Sequence, residues 1–219
     1  MKTPQAPRAA PIRVLPRPGR RRFTTALGAL VMVTLASATA SSDQAQKPVV
    51  LHIGDSFTAA GLAQALRPKF EARGRSYKVH YKTSAYTTTL PKDIGLADLV
   101  AQYRPALTIV TLGANEIPLT DPSSRRAAIK RVVEHATKFG DCVWTLPPVW
   151  REDGNEILEV IRAEAAPCKV YDPSSIAKEI ARKRDKIHPS PEGGARWAEG
   201  LWSWLEANQP KAIESTSAK

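Results

Sequence analysis

The chain has 219 residues, enough for one domain with a full-sized core, and a formal charge of +11. That charge is concentrated at the start. Residues 1–40 hold seven bases and no acid, so without them +11 falls to +4. A margin of that size is ordinary solubility charge, and no basic stripe interleaved with aromatics points to nucleic acid.

The first segment reads as an address. Lys2, Arg8, Arg13, Arg17, Arg20, Arg21 and Arg22 precede an almost wholly apolar run over residues 26–38, and Ala38-Thr39-Ala40 fits a small-x-small cleavage site. Residues 1–40 are therefore expected to be a secretory signal, too short to span a bilayer comfortably and leaving no membrane span once removed. Arg20-Arg21-Arg22-Phe23 resembles a twin-arginine export signal, which implies a bacterial source; a charged leader for the general export route is the alternative. Residues 41–47 are a short polar tether, 48–208 the folded domain, and 209–219 a polar tail expected to be disordered. The expected location is periplasmic or extracellular.

From residue 49 onward, strand and helix patterns alternate. Strands are predicted at Val49–Ile53, Tyr77–Tyr81, Leu107–Leu112, Cys142–Leu146 and Cys168–Tyr171. Helices are predicted over Thr58–Arg73, with Pro68 expected to kink or split it, and over Ile94–Tyr103, Ser123–Phe139, Asn155–Ala166 and Pro191–Asn208. In the last of these, Trp197, Leu201, Trp204 and Leu205 make a core-facing stripe. The alternation argues for an α/β sandwich around a parallel sheet, whose active residues collect at the carboxyl ends of strands. Cys142 and Cys168 each open a strand. An exported protein permits a disulfide, and adjacent parallel strands would bring the two together; two buried thiols are the alternative. Arg182-Lys183-Arg184 reads as a solvated helix end, and Arg125-Arg126 with Lys130 and Arg131 as a solvated face.

The chemistry is concentrated in two places. Val49–Ile53 ends abruptly in Gly54-Asp55-Ser56-Phe57, a strand, a tight turn and a helix start with a hydroxyl on the turn. Unpaired N–H groups at the helix start face incoming negative charge there. Far downstream, Asp185-Lys186-Ile187-His188 puts a carboxylate three residues before an imidazole. A serine hydroxyl needs a base within hydrogen-bond reach, and an imidazole needs a partner to fix its tautomer. Ser56 as nucleophile, His188 as base and Asp185 as its orienting partner satisfy those needs. Asn115, after the third strand, offers an amide to an oxyanion, as does the Ser56 N–H.

Gly54-Asp55-Ser56-Phe57, Gly113-Ala114-Asn115-Glu116 and Asp185-Lys186-Ile187-His188-Pro189 resemble three of the four sequence blocks of the SGNH, or GDSL-type, hydrolase superfamily, in the family's order. The resemblance implies a flavodoxin-like three-layer α/β/α fold with a five-stranded parallel sheet. It also implies esterase, lipase or acyltransferase chemistry with no metal or other cofactor. The family's second block supplies a glycine whose N–H is a third oxyanion donor. Here that stretch is Lys82-Thr83-Ser84-Ala85-Tyr86-Thr87, which leaves Ala85 or Ser84 to offer the N–H. Glu116 stands where the family usually has aspartate and is read as bracing a loop.

The expected reaction is hydrolysis of a small carboxylic ester, such as an O-acetyl group on carbohydrate, through an acyl-Ser56 intermediate. An O-acyltransferase using the same residues and a non-catalytic polysaccharide-binding module are the alternatives. The oligomeric state is not legible. His52, His80 and His135 read as structural, lacking metal-ligand spacing. Trp144, Trp150 and Tyr86 lie near strand ends, where they either wall a binding site or pack the core.

Overall fold

The structure, a computed structural model, describes residues 47–152 and 155–214. The expected signal (residues 1–40) and nearly all of the expected tether lie outside the described residues. Each strand ends within one residue of its expected place: β1 Val49–Gly54, β2 Ser76–Tyr81, β3 Leu107–Thr111, β4 Asp141–Thr145 and β5 Lys169–Tyr171. All pair in parallel in the order β2-β1-β3-β4-β5, the flavodoxin-like arrangement.

The strands read as continuous apolar runs because both faces of the sheet are covered. Alternate residues serve opposite faces. Leu51, Ile53, Val110 and Trp144 meet α3 (Leu96–Tyr103), α4 (Arg126–Ala136) and α5 (Glu156–Glu164). Val50, Leu107, Ile109 and Val143 meet α1 (Ala63–Ala72) and α6 (Pro191–Asn208). A short α2 (Leu90–Asp93) precedes α3. The result is the three-layer sandwich. Among the described residues no helix is long and apolar enough to cross a membrane.

The Thr58–Arg73 helix is corrected in one respect. α1 runs through Pro68, and the break falls earlier, at Ala60 (ψ 52°) and Gly61 (φ 87°). The cause is close backbone packing. A Cβ on Gly194 of α6 would stand 2.2 Å from the Ala60 carbonyl oxygen, and one on Gly61 would stand 3.1 Å from the Gly194 Cα. Glycine at both positions lets the turn Thr58–Leu62 press against the start of α6, and Gly61 alone of the two adopts positive φ.

The disordered-tail expectation is corrected over residues 209–214. Gln209 is buried, Pro210–Ile213 form a short α7, and Ile213 joins the core. The Arg75 guanidinium donates to the carbonyls of Lys211 (3.1 Å) and Glu214 (2.8 Å), satisfying main-chain acceptors at a helix end. The Cys142–Cys168 disulfide is present, with Cα atoms 4.5 Å apart. Its origin is the register: Val143 pairs with Lys169, so the residues just before them lie side by side.

Candidate active site

β1 ends against β3. A Cβ on Gly54 would stand 2.2 Å from the Thr111 carbonyl oxygen, so only glycine lets the chain turn there. The Asp55 N–H donates to that same carbonyl (3.1 Å), and the Asp55 carboxyl accepts the Phe57 N–H (2.9 Å). These bonds set Ser56 on a rigid turn, with no internal acceptor for its own N–H among the described residues.

Ser56 and His188 meet, 132 residues apart in the chain. Ser56 Oγ lies 2.9 Å from His188 Nε2, and His188 Nδ1 lies 2.8 Å from Asp185 Oδ2. With the neutral imidazole protonated on Nδ1, the hydroxyl donates to Nε2 and the ring donates to the carboxylate. Asp185 Oδ1 also accepts the N–H groups of Ile187 and His188, both at 2.9 Å. Those donors, the Ile187 N–H foremost and then the His188 ring, hold the Asp185 carboxyl down to about 2.

The loop carrying both residues is tied at its base. The Ser190 N–H donates to the Ala181 carbonyl and the Lys183 N–H to the His188 carbonyl, both at 2.8 Å. Ser190 then caps α6, its hydroxyl accepting from the Gly193 N–H (3.1 Å), with Pro191 in the first turn.

Arg182 departs from the sequence reading. It is on no helix end, and it is half-buried. Its guanidinium donates to the carbonyls of Ile187 (2.5 Å), Val149 (2.9 Å) and Pro148 (3.1 Å). It thus pins the Asp185–His188 loop to the chain leaving β4, and burial lowers its pKa despite the nearby Asp185 charge. Lys183 and Arg184 are exposed, as expected. On the other basic stretch, Arg126 and Lys130 pair with Glu164 of α5.

Phe57 is the second residue the sequence did not reveal. Buried next to Ser56, its ring lies 5.2 Å from the His188 ring and 5.5 Å from Trp150. It therefore backs the imidazole. Trp144 is a core residue, its indole N–H donating to the Leu112 carbonyl (3.1 Å), whereas Tyr86 is exposed.

Asn115 Nδ2 donates to the Ala85 carbonyl (2.8 Å) and stands a long 3.5 Å from Asp55 Oδ2. The loops after β1, β2 and β3 therefore converge on one spot. Ala85 does not fit the donor role given it by the sequence reading: its N–H is spent on the Lys82 carbonyl (3.2 Å) and its carbonyl on Asn115. Ser84, next to it, takes the left-handed conformation (φ 60°) that glycine adopts freely, and its N–H has no backbone acceptor among the described residues. Glu116 is buried and accepts the Thr87 N–H (2.5 Å), bracing the loop after β2.

Two carboxyls lie beneath this spot. Burial, reinforced by the Glu116 charge, pushes Asp55 up to about 8, and burial raises Glu116 as well. His52, buried between Tyr77 Oη (2.5 Å) and Thr111 Oγ1 (2.7 Å), is pushed down to about 3. Like His80, in β2, and His135, on α4, it lies outside the hydrogen-bonded line of Ser56, His188 and Asp185. Among the described residues no three His, Cys, Asp or Glu side chains group so as to hold a metal.

No protein-family model matches the chain, and no curated protein does. Solved structures do. TesA is 22% identical, with a TM-score of 0.60 over 73% of this chain and 98% of its own. The acetyl xylan esterase AlAXEase is 17% identical, with a TM-score of 0.61 over 72% and 99%. The psychrotrophic esterase EstA from Pseudoalteromonas sp., in a structure inhibited by monoethylphosphonate, is 14% identical, with a TM-score of 0.56 over 74% and 98%. This chain thus shares its fold with these solved structures.

Proposed function

We propose that this chain is an exported serine esterase acting through an acyl-Ser56 intermediate. The observation that carries the reading is the continuous hydrogen-bonded line Ser56–His188–Asp185, which joins two distant parts of the sequence. In the first half-reaction Ser56 Oγ bonds to the ester carbonyl carbon and its proton passes to His188 Nε2. The tetrahedral adduct collapses, the C–O bond to the alcohol breaks, and the alcohol leaves with that proton. Water then attacks the acyl carbon, again giving its proton to Nε2. The acid departs and Ser56 is reprotonated.

Charge on the adduct oxygen falls to the N–H groups of Ser56 and Ser84, which have no backbone acceptor among the described residues, and to the second N–H of Asn115, which has only the long 3.5 Å contact with Asp55 Oδ2 to give up, the first being held by Ala85. The left-handed Ser84 is suited to stand in for the family's second-block glycine, which favours an active site over a binding module without activity. The Cys142–Cys168 disulfide and the leader-like residues 1–40 support export to a periplasmic or extracellular location. Turnover of a small acetate ester by the purified domain tests the reading. Activity that is retained in Ser56→Ala would refute it.

A further inference from the structure

The side-chain amide of Asn115 has two N–H groups and three calls on them. One N–H is held by the Ala85 carbonyl at 2.8 Å. The other faces Asp55 Oδ2 at 3.5 Å, and it is also the one left for an adduct oxygen. That contact is longer than the roughly 2.7–3.2 Å of an ordinary N–H···O bond, so this N–H can still turn to another acceptor. The charge on Asp55 decides which acceptor wins.

The Asp55 carboxyl is fully buried. Its Oδ1 accepts the Phe57 N–H (2.9 Å), so a proton on the group belongs on Oδ2, the oxygen that faces Asn115. The groups that bear on it come from two turns. The turn after β1 supplies the N–H groups of Phe57 and of Asp55 itself, and the turn after β3 supplies the Ala114 N–H and the Glu116 carboxylate. None of these is a cation. The imidazoles are turned elsewhere, His52 to Tyr77 and Thr111, His188 to Ser56 and Asp185. Burial is the largest influence and keeps the proton on Asp55; the Phe57 N–H opposes it, and the like charge of Glu116 reinforces it. Glu116 is fixed in place, buried with its Oε1 on the Thr87 N–H.

A protonated Oδ2 is a weak acceptor and leaves the Asn115 N–H to the substrate. An ionised Oδ2 is a strong one, whose bonds to N–H groups are shorter and roughly twice as strong. It also sets a buried negative charge beside the donor on which the adduct oxygen gathers its own. Both effects fall on the transition state and spare the bound ester, which carries no such charge.

We infer that Asp55 is a positioning residue for Asn115: while it keeps its proton it leaves the second amide N–H to the oxyanion, and when it gives that proton to water it takes the N–H for itself, so that the site carries its own alkaline switch. The inference rests on the esterase reading and adds the regulation of that same site.

The test is the pH profile of kcat and of KM for ethyl acetate, followed by pH-stat from about pH 6 to 10 with spontaneous hydrolysis subtracted. Circular dichroism at each pH confirms that the protein remains folded, since the same ionisation lowers stability. Asp55 gives up its proton near 8, so kcat is expected to fall about tenfold per pH unit above that value, while KM changes by less than about twofold. Asp55→Asn cannot ionise, and its profile, scaled to its own maximum, is expected to lose the alkaline fall. Glu116→Gln removes the like charge, keeps an acceptor for the Thr87 N–H, and is expected to move the fall to lower pH. An active wild type whose kcat stays level, or whose fall lies in KM, overturns the inference and leaves the esterase intact. So does a fall that persists unchanged in Asp55→Asn, or, should that variant not fold, in Glu116→Gln. Wild-type protein that does not turn over the ester at any pH overturns the esterase reading itself, and the inference with it.

Discussion

Ser56→Ala deletes one oxygen from a part-buried side chain on a turn held by its neighbours, so the fold has no reason to change. Hydrolysis of an acetate ester is expected to drop to the uncatalysed background with the thermal midpoint unchanged. Asn115→Ala costs more than its oxyanion contact, because the same amide ties the Ala85 carbonyl; a loss on the order of 10²–10³ in kcat is expected from steady-state kinetics. Ser84→Gly places glycine where the backbone is already left-handed, and kcat is expected to stay within about twofold. A large loss there would mean that the Ser84 side chain acts in its own right. The triad residues were legible because each sits in a short local pattern: a strand ending in Gly-Asp-Ser, and an aspartate three before a histidine. The choice between Ala85 and Ser84 was not, since the sign of φ is not written in a residue's type. Arg182 and Phe57 were hidden for another reason. Their roles depend on Val149, Ile187 and His188, partners that only the fold brings near.

At the level of elements, the strands were the most legible because buried parallel strands are plain apolar runs. The same reading located the disulfide, as two strand starts one register apart. Replacing both cysteines by serine reopens a loop of sequence separation 26, which the chain-entropy model values at about 3 kcal/mol. The urea midpoint of the double variant is expected to fall accordingly, and an unchanged midpoint would mean the denatured chain gains nothing from the cross-link. The break before α1 was misplaced at Pro68 because the proline is local evidence, whereas the contact of Gly61 with Gly194 is not. Gly194→Ala puts a methyl group on the Ala60 carbonyl. Overpacking of that kind costs about 1–3 kcal/mol. It should also lower kcat, because α6 follows the His188 loop directly, and an active variant of wild-type stability would show that this packing does not position His188.

Over the whole molecule, buried ionisable groups set how stability follows pH. The unfolded chain protonates His52 below its ordinary 6.5, while the native site resists down to about 3, so stability is lost as pH falls through that interval. Asp55 works the other way. The unfolded chain ionises it above 3.8 and the native site keeps its proton to about 8, so stability is lost as pH rises, with Glu116 adding in the same direction. Between about 4 and 6.5 the His52 and Asp55 slopes oppose each other. Asp185 adds a loss only as pH falls below 3.8 towards 2. From pH 6.5 to 8 the Asp55 effect alone amounts to about 2 kcal/mol. Urea midpoints should therefore fall at both ends of the pH range, and Asp55→Asn should remove most of the alkaline fall; an equal fall in the variant would assign it to other groups. The central claim is that Ser56 is a nucleophile activated by His188. Its most direct test is labelling of the purified domain with a fluorophosphonate, read by intact mass and peptide mapping. One adduct on Ser56 is expected, absent in Ser56→Ala and strongly slowed in His188→Ala. A folded wild-type protein that takes no label, or takes it on another residue, would contradict the claim.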